Sequence, residues 1–114
     1  LCKFIIKGGI DPSRTVELLN ATTGWDWTAG DLLALGERVF NLKRLIDLEL
    51  GVTCEDDSIP RRFRTEPRPS GTAAGSLPDL EAMLPRYYER RGWDAEGRPT
   101  PERLEALGIE EGIR

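Results

Sequence analysis

Residues 28–51 read TAGDLLALGERVFNLKRLIDLELG, and their spacing decides the fold. Leu32, Leu35, Val39, Leu42 and Ile46 recur at intervals of three and four residues. Leu33, Phe40, Leu45 and Leu48 widen this seam into the broad apolar stripe of a helix buried on one side. Thr28 stands where an N-cap belongs, and Asp31 follows at capping-box distance. Gly51 stops the run. The predicted helix, 28–50, is about 30 Å long at ~1.5 Å per residue.

Outward from it, the same grammar continues. Asp11 followed by Pro12 reads as an N-cap and first helical residue. Val16, Leu18, Leu19 and Ala21 supply the apolar face of that helix. Gly24 ends it, and Trp25 is expected to fold back on its last turn. A similar corner recurs later: TTGWDWTAGDLLALG (22–36) and RRGWDAEGRPTPERLEALG (90–108) share Gly-Trp-Asp, a Thr cap and a closing Leu-Gly. The internal spacings differ, so these are two helix-to-helix corners rather than a solenoid repeat. In the second, Thr100 caps, Pro101 opens the helix, and Leu104 and Leu107 face inward.

Leu80, Met83, Leu84, Tyr87 and Tyr88 predict another helix, with Ser76 and Asp79 as its capping pair. Pro85 is expected to kink or split it. A shorter helix is predicted after DDSIP, with Pro60 in its first turn and Phe63 pointing inward. RTEPRPSGTAAGS, residues 64–76, reads as an extended Gly/Pro loop. KFIIK (3–7) is the one short candidate strand. The fold class is therefore all-α: an irregular domain of four to five helices over residues 1–114, with one long central helix.

Composition bounds the function. With 39% hydrophobic and 32% charged residues the 114-residue chain is globular rather than disordered, and long enough for one domain. A net charge of −4 opposes the electrostatic attraction on which nucleic-acid binding depends, which speaks against a helix-turn-helix DNA binder. No apolar run is long enough to span a bilayer, and no secretory signal is present, so a cytoplasmic setting is expected. With no His, Ser/His and Cys/His catalytic pairs are excluded. Cys2 and Cys54 are the two thiols; they are able to pair, but one bridge makes no disulfide scaffold.

The remaining polar clusters carry little chemistry. Glu55, Asp56 and Asp57 lack the spacing of a calcium loop and read as a solvated helix start. Arg61, Arg62, Arg64 and Arg68 lie among acids, so surface ion pairing is expected. Tyr87, Tyr88 and Trp93 read as core and capping residues before base-stacking ones. No self-contained active site is visible.

The order of the motifs adds what no single one gives. Leu-Cys-x-Phe at 1–4 is followed by ELLNATTGWDWT (17–28), GERVFNLKRLIDLELG (36–51), DDSIPRRF (56–63) and MLPRYYERRGWDAEGRPTPERLEALG (83–108). This succession resembles the C-terminal domain of the tungsten-containing aldehyde ferredoxin oxidoreductase family, from Leu1 to about Ile109. The resemblance implies a parent enzyme holding tungsten, or in some relatives molybdenum, between two pterins. That enzyme oxidises an aldehyde with water to a carboxylate and passes two electrons through a 4Fe–4S cluster to ferredoxin. Family members carry an Asp-x-x-Gly-Leu-Cys motif, and the chain is read as beginning inside it. Cys2 is then the fourth thiolate of the cluster, the other three belonging to a Cys-x-x-Cys-x-x-x-Cys run in upstream domains. One ligand holds no cluster, so the 114 residues alone are expected to bind no cofactor and to be inactive. Cys54 matches no family ligand and is read as incidental. The long helix is expected to frame the cofactor cavity, and loop 64–76 to wall the substrate channel. Lys3, Pro85 and the small residues of SGTAAGS depart from the family pattern, and relatives differ in substrate, so the aldehyde itself is left open. Leu1, Phe4, Ile5 and Ile6 predict dimerisation through the N-terminal edge. The rival reading is a stand-alone helical protein-interaction module whose apolar stripe binds a partner helix.

Overall fold

The computed structural model of the protein describes residues 7–110. Among them lie α1 (Pro12–Thr23), α2 (Ala29–Glu49), a 3-10 turn (Cys54–Asp56), α3 (Arg61–Thr65), α4 (Leu80–Arg91) and α5 (Pro101–Ala106). No sheet forms among the described residues; two isolated bridges, Arg68 with Ala74 and Trp93 with Pro99, close local loops. The all-α class is as the sequence predicts. The candidate strand at 3–7, the dimerisation edge and Cys2 lie wholly or almost wholly outside the described residues.

The caps explain most boundaries. Asp11 accepts a hydrogen bond from the Arg14 amide at 3.0 Å, and Pro12 opens α1. Thr28 and Asp31 form the full capping box: the Asp31 amide donates to Thr28 Oγ1 at 3.2 Å, and the Thr28 amide to Asp31 Oδ2 at 2.7 Å. The Thr28 hydroxyl and amide hold the Asp31 carboxyl below its usual range. At the far end, Gly51 donates to Leu48 O and Val52 to Asp47 O, the paired bonds of a Schellman motif. That motif needs a left-handed residue, and Gly51 supplies it at φ 89°.

Three expectations are corrected. Asp79, not Ser76, caps α4, accepting from the Ala82 amide at 3.1 Å. Ser76 lies a turn too early, and its amide closes a loop turn on Ala73. Pro85 does not split α4, which runs from Leu80 to Arg91 as one helix. The carbonyl that loses its donor belongs to Glu81, which is exposed and open to water. Phe63 points outward, because a five-residue helix has no neighbour to bury it against. Of the segment expected as a loop, 64–76, the first two residues close α3; the irregular run extends from Glu66 to Pro78 and is pinched where the Gly75 amide donates to Arg68 O at 3.0 Å.

The two Gly-Trp-Asp corners share their caps and diverge in packing. Gly24 and Gly92 both end their helices in the left-handed conformation. Trp25 does not fold back on α1 as expected. It stacks on Trp27 at 5.0 Å and stays half exposed. The clamp at this corner is Asn20, whose Nδ2 donates to Trp27 O at 2.8 Å and whose Oδ1 accepts from the Trp27 amide at 3.1 Å. Trp93 is buried instead. Its turn is held by Asp94, whose carboxylate accepts from the Glu96 and Arg98 amides at 3.0 and 2.8 Å.

The apolar core is small: Val16, Tyr88, Trp93, Leu104 and Ile109. The Cα radius of gyration is 18.0 Å, whereas a compact chain of this length has about 13 Å. α1 packs along α2. The α4–α5 corner docks on the middle of α2, and this docking builds the site.

Candidate functional site

The centre of the molecule is a polar network under an aromatic lid. α2 contributes Glu37, Asn41 and Arg44, spaced four and three residues apart and therefore on one helix face. Arg44 is its hub. Its Nε donates to Gly97 O at 2.8 Å, and its Nη1 and Nη2 grip both carboxylate oxygens of Asp57 at 2.8 and 2.5 Å. This planar fork is the strong form of ion pair, and three partners satisfy a nearly buried guanidinium. Burial pulls the Arg44 pKa down, but the hydrogen bonds and charge of Asp57 outweigh it, and the net shift is upward.

Tyr88, from α4, donates its hydroxyl to Asp57 Oδ2. Asn41 is fully buried; its Oδ1 accepts from Trp93 Nε1 at 2.7 Å and its Nδ2 donates to Glu37 O at 2.9 Å. Glu37 in turn accepts from Arg91 and Arg103, each at 2.8 Å. One row of α2 thus binds the 3-10 segment, α4, the Trp93 turn and α5. Phe40, Tyr87, Tyr88 and Trp93 cover it, with centroids 5.8–6.2 Å apart. Arg91 lies over the Phe40 ring at 4.0 Å and Arg44 over Trp93 at 5.0 Å.

Tyr88 gives the network a pH signature. Burial, and then its hydrogen bond to Asp57 beside that negative charge, pushes the phenol from 10.0 up to about 12. The fold favours the protonated phenol. Its contribution is complete below pH 10 and is lost as pH rises from about 10 to about 12. A displacement of that size corresponds to roughly 2–3 kcal/mol. Urea unfolding at stepped alkaline pH should show this loss, and Tyr88→Phe should flatten it.

Beside the network lies a groove of about 590 Å³, lined by Cys54, Leu84, Pro85, Tyr88, Trp93 and Ala95 among others. Cys54 is a free, half-buried thiol there. The acidic trio does not converge. Asp56 caps the 3-10 turn by accepting from the Thr53 amide at 2.8 Å, Asp57 turns inward to Arg44, and Glu55 is exposed. Among the described residues no group of three or more His, Cys, Asp or Glu side chains is placed to hold a metal ion. Arg61, Arg62, Arg64 and Arg68 are exposed, and Arg62 pairs with Glu66 at 3.2 Å. Tyr88 and Trp93 are core, as expected, and Tyr87 lies at its edge. The residues that sequence reasoning missed are Glu37, Asn41 and Arg44. Their signal was present as a polar row at helical spacing inside an apolar helix.

Comparison with known proteins places this architecture. A family model described as aldehyde ferredoxin oxidoreductase, domains 2 & 3, matches residues 1–109. The chain belongs to the aldehyde ferredoxin oxidoreductase family. The tungsten-containing aldehyde ferredoxin oxidoreductase of Pyrococcus furiosus is 47% identical over 113 residues, covering 97% of this chain and 18% of that protein. The protein of the same description in Thermococcus kodakarensis is 44% identical over 113 residues, with the same coverage. A protein of Pyrococcus furiosus described as an aliphatic sulfonate oxidoreductase, WOR-like subunit, is 37% identical over 123 residues, covering 100% of this chain and 19% of that protein. The chain thus spans about a fifth of the length of these relatives. Within the aldehyde ferredoxin oxidoreductase family, the described part of this chain is all-helical. No helix among the described residues is long and apolar enough to cross a membrane.

Proposed function

We propose that this chain is the helical C-terminal portion of a tungsten-pterin enzyme that oxidises aldehydes to carboxylates. The reaction class balances as aldehyde plus water giving carboxylate, three protons and two electrons. The electrons leave through a 4Fe–4S cluster to ferredoxin, in a cytoplasmic setting. The observation that carries the reading is the match over residues 1–109 to one family model, joined to relatives whose descriptions name tungsten and ferredoxin.

The described residues do not themselves fit the cluster. Four thiolates are needed, and Cys54, in an apolar groove beside Tyr88 and Trp93, is the one thiol among the described residues. Cys2 is proposed as one ligand, with three supplied by other parts of the polypeptide. The 114 residues alone are therefore proposed to be inactive. Their work is positional. The capped α2 and the Arg44 network hold the 3-10 segment, α4 and α5 in fixed relation, and a cofactor site of this kind depends on such rigid support.

The test uses the whole gene product, made anaerobically with tungstate. Aldehyde-dependent reduction of ferredoxin or a viologen dye is expected, with stoichiometric tungsten. Cys2→Ser should lose about four iron atoms per chain, the electron-spin-resonance signal of the reduced cluster and dye reduction together. Undiminished iron and activity in Cys2→Ser would remove Cys2 from the cluster. Absence of tungsten and of aldehyde-dependent reduction in the parent would overturn the functional reading.

A further inference from the structure

The long helix is packed the wrong way round for an isolated domain. Its buried residues are polar: Asn41 is 0% and Arg44 6% exposed. Its apolar seam of Leu32, Leu35, Val39, Leu42 and Ile46 is not buried, Leu32 and Leu42 being half-buried. Leu35, Val39 and Ile46 stay 41%, 48% and 50% exposed, and Leu50, one turn beyond Ile46, 78%. At about 100° per residue the seam's centre lies about 170° around the helix from the row of Glu37, Asn41 and Arg44. The seam is thus centred on the back of α2, away from the row that binds α4 and α5, with Leu35 at its edge in a groove shared with Ala106 and Leu107. A chain spread over 50 × 39 × 21 Å leaves it without a full cover among the described residues.

We propose that this back face is an interdomain seam, covered by a helix from the remaining four-fifths of the same polypeptide. The inference rests on the reading of the chain as part of a longer enzyme. Two further observations choose the occupant. The alternation of three- and four-residue steps, sustained from Leu32 to Ile46, is the pattern that meets another helix at a shallow crossing of about 20°, with knobs entering its holes. The chain also accounts for only 18% of the length of its relatives, so most of the polypeptide lies outside it. A second copy of the chain is the competing occupant. The consequence is directional: the polar face of α2 organises this portion internally, while the apolar face fastens it to the rest of the enzyme.

The experiment is thiol labelling of Val39→Cys and Ile46→Cys in the full-length holoenzyme, read by peptide mass mapping. Both sites should react about tenfold or more slowly in the native protein than after unfolding, at every protein concentration. Fast labelling in a preparation that retains tungsten and aldehyde-dependent activity overturns the seam while leaving the functional reading intact. Protection that disappears on dilution, as a dimer dissociates, assigns the face to a second copy and overturns the intramolecular cover. Val39→Lys gives a second readout. It should lower the melting temperature of the full-length protein if the face is covered; an unchanged melting temperature counts against the proposal.

Discussion

Arg44→Ala lowers the free energy of unfolding by about 3–5 kcal/mol, the expected cost of breaking a buried ion pair from one side. The size follows from what is left behind. Among the described residues Asp57 keeps only Tyr88 as a side-chain donor, on a carboxylate whose side chain is just 23% exposed. Gly97 O loses the Arg44 Nε bond, and Trp93 loses the cation over its ring. The 3-10 segment and the Trp93 turn lie 13 and 53 residues along the chain from Arg44, so the deletion unties two distant segments from α2 at once. Arg44→Lys should recover only part of the loss. A single ammonium does not span both Asp57 oxygens and the Gly97 carbonyl in one plane. Urea unfolding of both variants measures this, and a double-mutant cycle with Asp57→Asn isolates the pair. A cost under about 1 kcal/mol would place the pair among exposed bridges and refute its role as hub.

Gly97→Ala comes next, at about 3–4 kcal/mol. Gly97 has φ 72°, where a side chain costs about 1–2 kcal/mol. The new methyl would stand 2.5 Å from Arg44 Nη2 and 3.0 and 3.1 Å from Tyr88 Cζ and Oη. Neither neighbour is free to retreat, because both are bonded to Asp57. The network must shift, which adds about 1–3 kcal/mol of overpacking strain. Gly36→Ala is the internal control. Gly36 sits within α2 with nothing within 4 Å of the added methyl, and the change should stabilise by about 0.5–1 kcal/mol. Opposite signs for the two variants in the same unfolding assay would show that the site at Gly97, and not glycine replacement in general, carries the effect.

How far the sequence reached is clearest at α2. Its ends were legible because caps are local: Thr28, Asp31 and Gly51 act on amides and carbonyls within a few residues. The same holds for Asp11, Pro12 and Gly24 around α1, and for Thr100 and Pro101 at α5. Spacing also showed that α2 has an apolar stripe. It did not show which side of the helix faces inward, because periodicity reports that one face differs from the other and not what covers each. The apolar stripe was expected to be the core, yet the polar row took that place within these residues. Ser76 and Phe63 failed for a related reason. Each fits a local pattern, but its environment is set by segments that local spacing does not see.

The sequence by itself determined the all-α class, the helix ends and, through the order of its motifs, the family. Only the tertiary structure decided that Glu37, Asn41 and Arg44 are the axis on which α4, α5 and the 3-10 segment assemble. The physical reason is range. A cap is satisfied within one turn of chain, whereas the bonds from Arg44 to Gly97 and from Glu37 to Arg103 join residues 53 and 66 positions apart. Buried polar groups must find such partners wherever the fold brings them.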